Sequence, residues 1–455
     1  MIEPPVAPPP REVHDPAQLA WASQRLDAAA SPRLMMQEVV AAVARNAVWR
    51  GEECLNLLAP EAPMSPTVRA LLSAEVGQRA AEGHIGPHQR WFAGTRHIDE
   101  IEALAVELLK RAFRSQYADH RLVASMVGNL TVYTALTQPG DTIMSLTQPF
   151  GGHSSNRPDG PAGVRGLRVV DIPVDRAELA VDLNAFADTA RRERPRLVAL
   201  GASMTLFPLP VREIADIIAP WGGLVFFDGA HQLGLIGGGQ FQDPLAEGAA
   251  VMTGSSGKTF SGPQSGIIVW NDPDLTTPLT HAIFPTLAAT HQVNRVAALA
   301  AAAAEFLEFG RPYMAQIVAN AQALARALDA RSVPVLGAAR GFTRTHQVIV
   351  DARPFHGGLA AARQLEQANI IANKNLLPDD AAAAWDAPSG LRLGTTEVTR
   401  YGMREGDMEH IAALMADVLA QRRPPDAVRT EVLALRRSHP TLKFCYPLAP
   451  GASPG

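Results

Sequence analysis

From about residue 120 the chain repeats one pattern: a short, continuous apolar run followed by a stretch with other periodicity. The runs fall at 142–146, 167–172, 197–200, 224–227, 249–253 and 266–270, and helical patterns at 183–193 and 210–219 separate several of them. A strand that is apolar on both sides of its pleat has no solvent face, so it belongs in a mostly parallel sheet covered by helices on both surfaces. The pattern therefore predicts an α/β fold. In such a sheet ligands sit beyond the carboxyl ends of the strands.

The flanking segments predict the rest of the organisation. Pro4, Pro5, Pro8, Pro9 and Pro10 prevent any helix or ladder near the start, so residues 1–15 read as a mobile arm. Residues 16–54 read as an N-terminal helical segment, 55–300 as a large domain and 301–455 as a smaller C-terminal α+β domain that begins in an alanine-rich helix. Within 98–116, Ile98, Ile101, Leu104, Ala105, Leu108, Leu109, Ala112 and Phe113 recur at three- and four-residue spacing, which predicts a core-facing stripe.

Composition removes several function classes. With 41 basic and 45 acidic residues the formal charge is −4, so there is no basic footprint for nucleic acid or an anionic membrane surface. Cys54 and Cys445 stand alone, which fits a reducing compartment and predicts neither a disulfide framework nor a metal knuckle. The alanine run 297–304 meets Glu305 too soon to span a bilayer, and the N-terminus has no apolar signal core. The cytoplasm is the expected location, and no metal is expected.

The chemistry concentrates between Gly223 and Gly266. Asp228 directly follows an apolar run, so its carboxylate projects from a strand end, where it can keep a pyridine nitrogen protonated. A positively charged ring of that kind accepts electrons released at a substrate's α carbon. His231 follows closely. The next run leads into Gly254-Ser255-Ser256-Gly257 and then Lys258, a set of donors for a phosphate beside an amine. A lysine desolvated beside a cation becomes a nucleophile toward an aldehyde. Taken singly, such a lysine is usually a solvated charge, such an aspartate a helix cap and such a histidine structural. Their order is what points to pyridoxal phosphate. A nucleotide-binding P-loop would need glycine at position 252, where Met252 stands, and a helix that Gly262 and Pro263 would break.

Asp228-Gly-Ala-His231, Gly234-Leu235-Ile236, Lys258-Thr259 and Gly262-Pro263 resemble the core of the serine hydroxymethyltransferases and their relatives, pyridoxal-phosphate enzymes of fold type I. Ala59-Pro-Glu61, Ala81-Glu82-Gly83, Gly151-Gly152-His153, Asn373-Lys374-Asn375 and Leu391-Arg392-Leu393-Gly394 extend the likeness over residues 55–420. The resemblance implies that Lys258 holds the cofactor as a Schiff base, Asp228 pairs with its pyridine nitrogen and His153 stacks on its ring. It further implies Ser203 and His231 near the phenolic oxygen, Ser125, Met126, Ser255 and Ser256 around the phosphate, Arg392 on the substrate carboxylate and Glu61 as an acid/base group. A guanidinium fork suits a carboxylate independently of any family. The implied partners are a small amino-acid substrate and a second copy of the chain, in a homodimer with shared sites.

Several positions depart from that family. Gly257 replaces a histidine, Pro60 a serine, Ala80 and Trp91-Phe92 replace tyrosines, Ala289-Thr290 a glycine pair, and Ala124-Ser125-Met126 a Ser-Gly-Ser loop. Folate-dependent exchange of serine and glycine is correspondingly disfavoured. Thr345-His346-Gln347-Val348, Gly310-Arg311 and Thr399-Arg400 resemble the L-threonine transaldolases of natural-product pathways. The expected reaction is therefore folate-independent aldol-type cleavage and transfer. The alternatives are carbon–sulfur lyase or decarboxylating chemistry of antibiotic pathways, and the hydroxymethyltransferase reaction itself.

Overall fold

The computed structural model describes residues 14–29, 31–449 and 451. Most of the proline-rich arm thus lies outside the described residues. The chain forms two compact units, Met1–Cys54 and Leu55–Gly455. In the first, helices Pro16–Ala28 and Pro32–Val48 both begin with proline, whose fixed φ and missing N–H suit the first helical turn. Asp15 caps the earlier one by accepting from the N–H of Ala17.

The second unit is built on a seven-stranded sheet. Its strands are β1 (Tyr117–Asp119), β2 (Thr142–Ser145), β3 (Arg168–Asp171), β4 (Leu197–Leu200), β5 (Leu224–Asp228), β6 (Val251–Ser255) and β7 (Gly266–Trp270). Their spatial order is β1-β7-β6-β5-β4-β2-β3, and β7 runs antiparallel to both neighbours while the rest are parallel. The mostly parallel sheet expected from the apolar runs is present. Both faces are covered: Val225 and Phe227 pack into one core with Met144, Val198 and Ile267, and Phe226 points into another with Ile143, Leu197 and Ile268. Phe226 and Phe227 are fully buried, and each such side chain contributes about 1.5–3 kcal/mol.

A smaller antiparallel sheet follows, made of β8 (Gln347–Asp351), β9 (Asn373–Asn375) and β10 (Gly390–Gly394), with β10 in the middle. The helix Val293–Asp329 joins the two layers of this unit. Ala298, Leu299 and Phe306 pack in the large core, and Leu324, Ala325 and Leu328 pack in the core of the smaller sheet. Among the described residues no helix is long and apolar enough to cross a membrane.

Three local expectations need correction. The apolar run at 249–253 forms a strand two residues later, because Thr253, Gly254 and Ser255 pair with β7 across the sheet. The edge strand β1 escaped notice because it is short and ends in a charge. In the helix Arg96–Phe113, Leu104 is 61% exposed and Glu102 is buried in the stripe instead. Glu102 can be buried because its carboxylate is met by Arg90 Nη2 at 2.5 Å and by His120 and His291. These three side chains could ligate a cation, but a guanidinium already supplies the charge their carboxylate needs.

Gly201 leaves β4 with φ of +97°, and a Cβ there would lie 2.1 Å from the carbonyl oxygen of Asp228. Gly201→Ala is expected to destabilise the protein by about 2–5 kcal/mol in urea unfolding, through combined backbone strain and overpacking. Gly406→Ala, in the helix Glu405–Leu419 with no neighbour in reach, is expected to be neutral or to stabilise by up to about 1 kcal/mol. Equal stabilities for the two variants would contradict this account.

Candidate active site

The strand ends converge. Asp228 closes β5, Ser255 closes β6, Ser203 follows β4, His153 follows β2, and Ser125 opens the helix Ser125–Leu136. Ser125, Met126, His153, Ser203, Asp228, His231, Ser255 and Lys258 line one cavity of about 190 Å³, together with Asn129, Ser155, Ala202 and Ala230. Eight of the residues expected from the sequence thus meet in one place.

Asp228 is the most firmly held. Its Oδ2 accepts from Nδ2 of Asn129 at 2.7 Å and of Asn156 at 3.4 Å, and its Oδ1 accepts from the N–H of Ala230 at 3.2 Å. The Asp228 carboxylate, which only accepts, fixes the Asn129 amide, and the Asn129 Oδ1 is then free to accept from the hydroxyl of Thr253 at 2.7 Å. The sequence reading missed Asn129, Ser155 and Asn156. A polar Asn129 on the otherwise apolar side of a helix, four residues after Ser125, was the available signal for the first; the other two could not be found without the fold.

The chain has four lysines, and only Lys258 lines the cavity. Lys110 is bonded to Glu107, and Lys374 to the carbonyls of Trp385 and Asp386. Burial pushes the Lys258 amine down to about 8; the Asp228 carboxylate opposes this shift and the Arg392 guanidinium adds to it. His153 accepts at Nδ1 from the N–H of Ser155 at 3.1 Å, and burial lowers its basicity. His231 is held well below the usual histidine range by burial, then by Lys258, Arg392, His346 and His153.

The remaining expected residues stand elsewhere. Arg392, in the middle strand of the small sheet, reaches across to donate from Nη1 to the carbonyl of Ser203 at 2.7 Å. Ser256 is fully buried and its hydroxyl donates to the carbonyl of Pro263 at 2.5 Å, so it is committed to the turn rather than to the cavity. Glu61 accepts from Nδ2 of Asn56 at 2.7 Å and is not among the lining residues. At Gly257 the space for a side chain is filled, because a Cβ would lie 2.7 Å from the amide of Gln264.

These donors fit a pyridoxal phosphate. The Ser125 hydroxyl and Arg392 Nε are buried without a hydrogen-bond partner, the first at the start of a twelve-residue helix whose amides favour an anion. An amine, a fixed carboxylate and an unpartnered hydroxyl at a helix start surround one cavity, matching the aldehyde, ring nitrogen and phosphate of that cofactor.

A sequence profile described as serine hydroxymethyltransferase matches residues 34–415. A serine hydroxymethyltransferase of Methanopyrus kandleri is 45% identical over 417 residues, covering 92% of this chain and 96% of its own length. One from Archaeoglobus fulgidus is 43% identical over 394 residues, covering 87% and 89%. Among solved structures, the L-threonine transaldolase of Pseudomonas fluorescens in its internal aldimine state superimposes with a TM-score of 0.83 at 27% identity, covering 91% and 94%.

The lowered basicity of Lys258 has a measurable consequence. The neutral, nucleophilic share of its amine rises about tenfold per pH unit up to about 8 and then levels, instead of climbing on toward 10.5. Covalent uptake of pyridoxal phosphate by the cofactor-stripped protein is expected to follow that curve in stopped-flow absorbance. A rate still rising steeply between pH 9 and 10 would contradict it.

Proposed function

The chain belongs to the serine hydroxymethyltransferase family of pyridoxal-phosphate enzymes, and from that premise we propose that it cleaves and re-forms the Cα–Cβ bond of a β-hydroxy α-amino acid. The observation that carries this reading is the placement of Lys258 and Asp228 on one cavity, with Arg392 bonded to the carbonyl of Ser203, which lines it. Bound there, the cofactor supplies an electron sink for the bond that breaks at the α carbon. Asp228 would pair with its ring nitrogen, His153 would face its ring, and Ser125, Ser255 and the helix start would hold its phosphate. Arg392 pairs with the substrate carboxylate. Its reach from the small sheet orients the α carbon against the cofactor, which is where proximity lowers the barrier. Glu61, held by Asn56, is the acid/base group of this proposal. A homodimer acting on a small amino acid in the cytoplasm belongs to the same reading.

Two electrophile choices follow from one bond cleavage. The archaeal relatives, similar over nearly their whole length, favour L-serine as donor. A specific feature favours a transaldol reaction with an apolar aldehyde instead. Met126, on the cavity wall, is 43% exposed. Apolar surface of this kind suits a hydrophobic acceptor.

Product analysis separates the readings. The enzyme is expected to form glycine from L-threonine or L-serine, with acetaldehyde released from threonine and transferred products appearing when an aromatic aldehyde is added. Glycine formed from serine only with a tetrahydropterin carrier would select the hydroxymethyltransferase reading. Pyruvate and ammonia from a cysteine thioether, without glycine from either hydroxy amino acid, would overturn the proposal. Arg392→Leu is expected to lower kcat/KM by about 2–5 kcal/mol through loss of a charged hydrogen-bonded pair, mostly in KM.

A further inference from the structure

Gln347 opens β8, is fully buried, and reaches the rear edge of the His231 ring. Its amide has only one allowed orientation. Oε1 accepts from the backbone N–H of Thr205 at 2.9 Å, and Nε2 donates to the backbone carbonyl of Ser203 at 2.9 Å. A backbone N–H only donates and a carbonyl only accepts, so the two partners dictate the same assignment of oxygen and nitrogen. The second hydrogen on Nε2 is left for Nδ1 of His231, 3.3 Å away. We infer that Gln347 is a positioning residue that locks His231 in one tautomer, with Nδ1 bare and the proton on Nε2.

Two further contacts hold the residue, one on its backbone and one on its ring. The hydroxyl of Thr259, next to Lys258, donates to the carbonyl of His231 at 2.9 Å and accepts from the N–H of Gly234 at 2.9 Å. The His346 ring lies nearly parallel to that of His231, with centroids 5.9 Å apart. The charged and titratable groups facing His231 are Lys258, Arg392, His346 and His153, and these, after burial itself, keep the imidazole from taking a second proton. The doubly protonated ring is therefore disfavoured, and the Gln347 amide selects between the two neutral forms. The same Ser203 carbonyl also accepts from Arg392, so one backbone oxygen ties together the histidine's orienting amide and the guanidinium.

The consequence, which rests on the cofactor reading, is a neutral donor on the cavity wall. A fixed Nε2–H can hydrogen-bond an anionic oxygen without adding a charge beside Lys258. The lock itself does not depend on any cofactor, so its test can be made on the stripped protein.

Long-range nitrogen–proton correlation on the uniformly labelled protein reads the tautomer directly, with His231→Asn identifying the signals of His231. The nitrogen coupled to both ring carbon-bound protons, Nε2, is expected to show the protonated shift, and Nδ1 the unprotonated one, from mildly acidic to alkaline pH. Gln347→Glu is expected to move the proton to Nδ1, because a carboxylate there accepts instead of donating. Gln347→Leu is expected to give exchange-averaged signals of a mixture, with circular dichroism unchanged. A proton on Nδ1 in the unmodified protein would overturn the inference, as would a pure Nε2–H pattern retained in Gln347→Leu. Should Gln347→Leu fail to fold, Gln347→Glu decides: retention of the Nε2–H form refutes the lock. Holoenzyme prepared from Gln347→Glu is expected to shift the pH midpoint of its visible absorbance, and failure of that result alone would count against the cofactor reading and leave the tautomer lock standing.

Discussion

The carboxylate of Asp228, fixed at the end of the central strand β5, is the charge around which the site is arranged. Burying a carboxylate is expensive unless hydrogen bonds and an opposite charge compensate it. Here Asn129 and Asn156 donate to one oxygen and a backbone N–H to the other, while Lys258 supplies an opposite charge. The asparagines are themselves fixed, by Thr253 of the neighbouring strand and by Tyr133, whose hydroxyl donates to Asn156 Oδ1 at 2.7 Å. The placement of this buried charge therefore depends on a sheet that is apolar on both faces, since the buried strand end keeps it from water.

Much of this was legible before the fold was known. The uninterrupted apolar runs required a covered parallel sheet, and the strands β4, β5 and β7 match their runs closely. Asp228 and Lys258 followed from their places after two of those runs. What could not be read were contacts made through space. Asn156 and Gln347 sit far from Asp228 and His231 in sequence, and no periodicity marks them. Leu104 and Glu102 exchanged roles because a helical stripe counts apolar spacing and cannot know that Arg90 lies beneath it. Ser256, read from its place in the loop before Lys258, is bound to its own turn, and Glu61, implied by the family likeness, accepts from Asn56.

The departures from the parent pattern also have a physical form. At Gly257 the Gln264 amide occupies the place a Cβ would take, and Met126 presents its thioether to the cavity. The cofactor is more closely specified by this chain than the reaction, since its relatives are named for hydroxymethyl transfer and the similar solved structure for transaldol chemistry.

The central claim is that one lysine of four carries the cofactor. Reducing the holoenzyme with borohydride and mapping the peptides by mass spectrometry tests it most directly. The account predicts the phosphopyridoxyl mass on Lys258 alone. The same mass on Lys110, Lys374 or Lys443 in place of Lys258, or none at all in a protein saturated with pyridoxal phosphate, would contradict it.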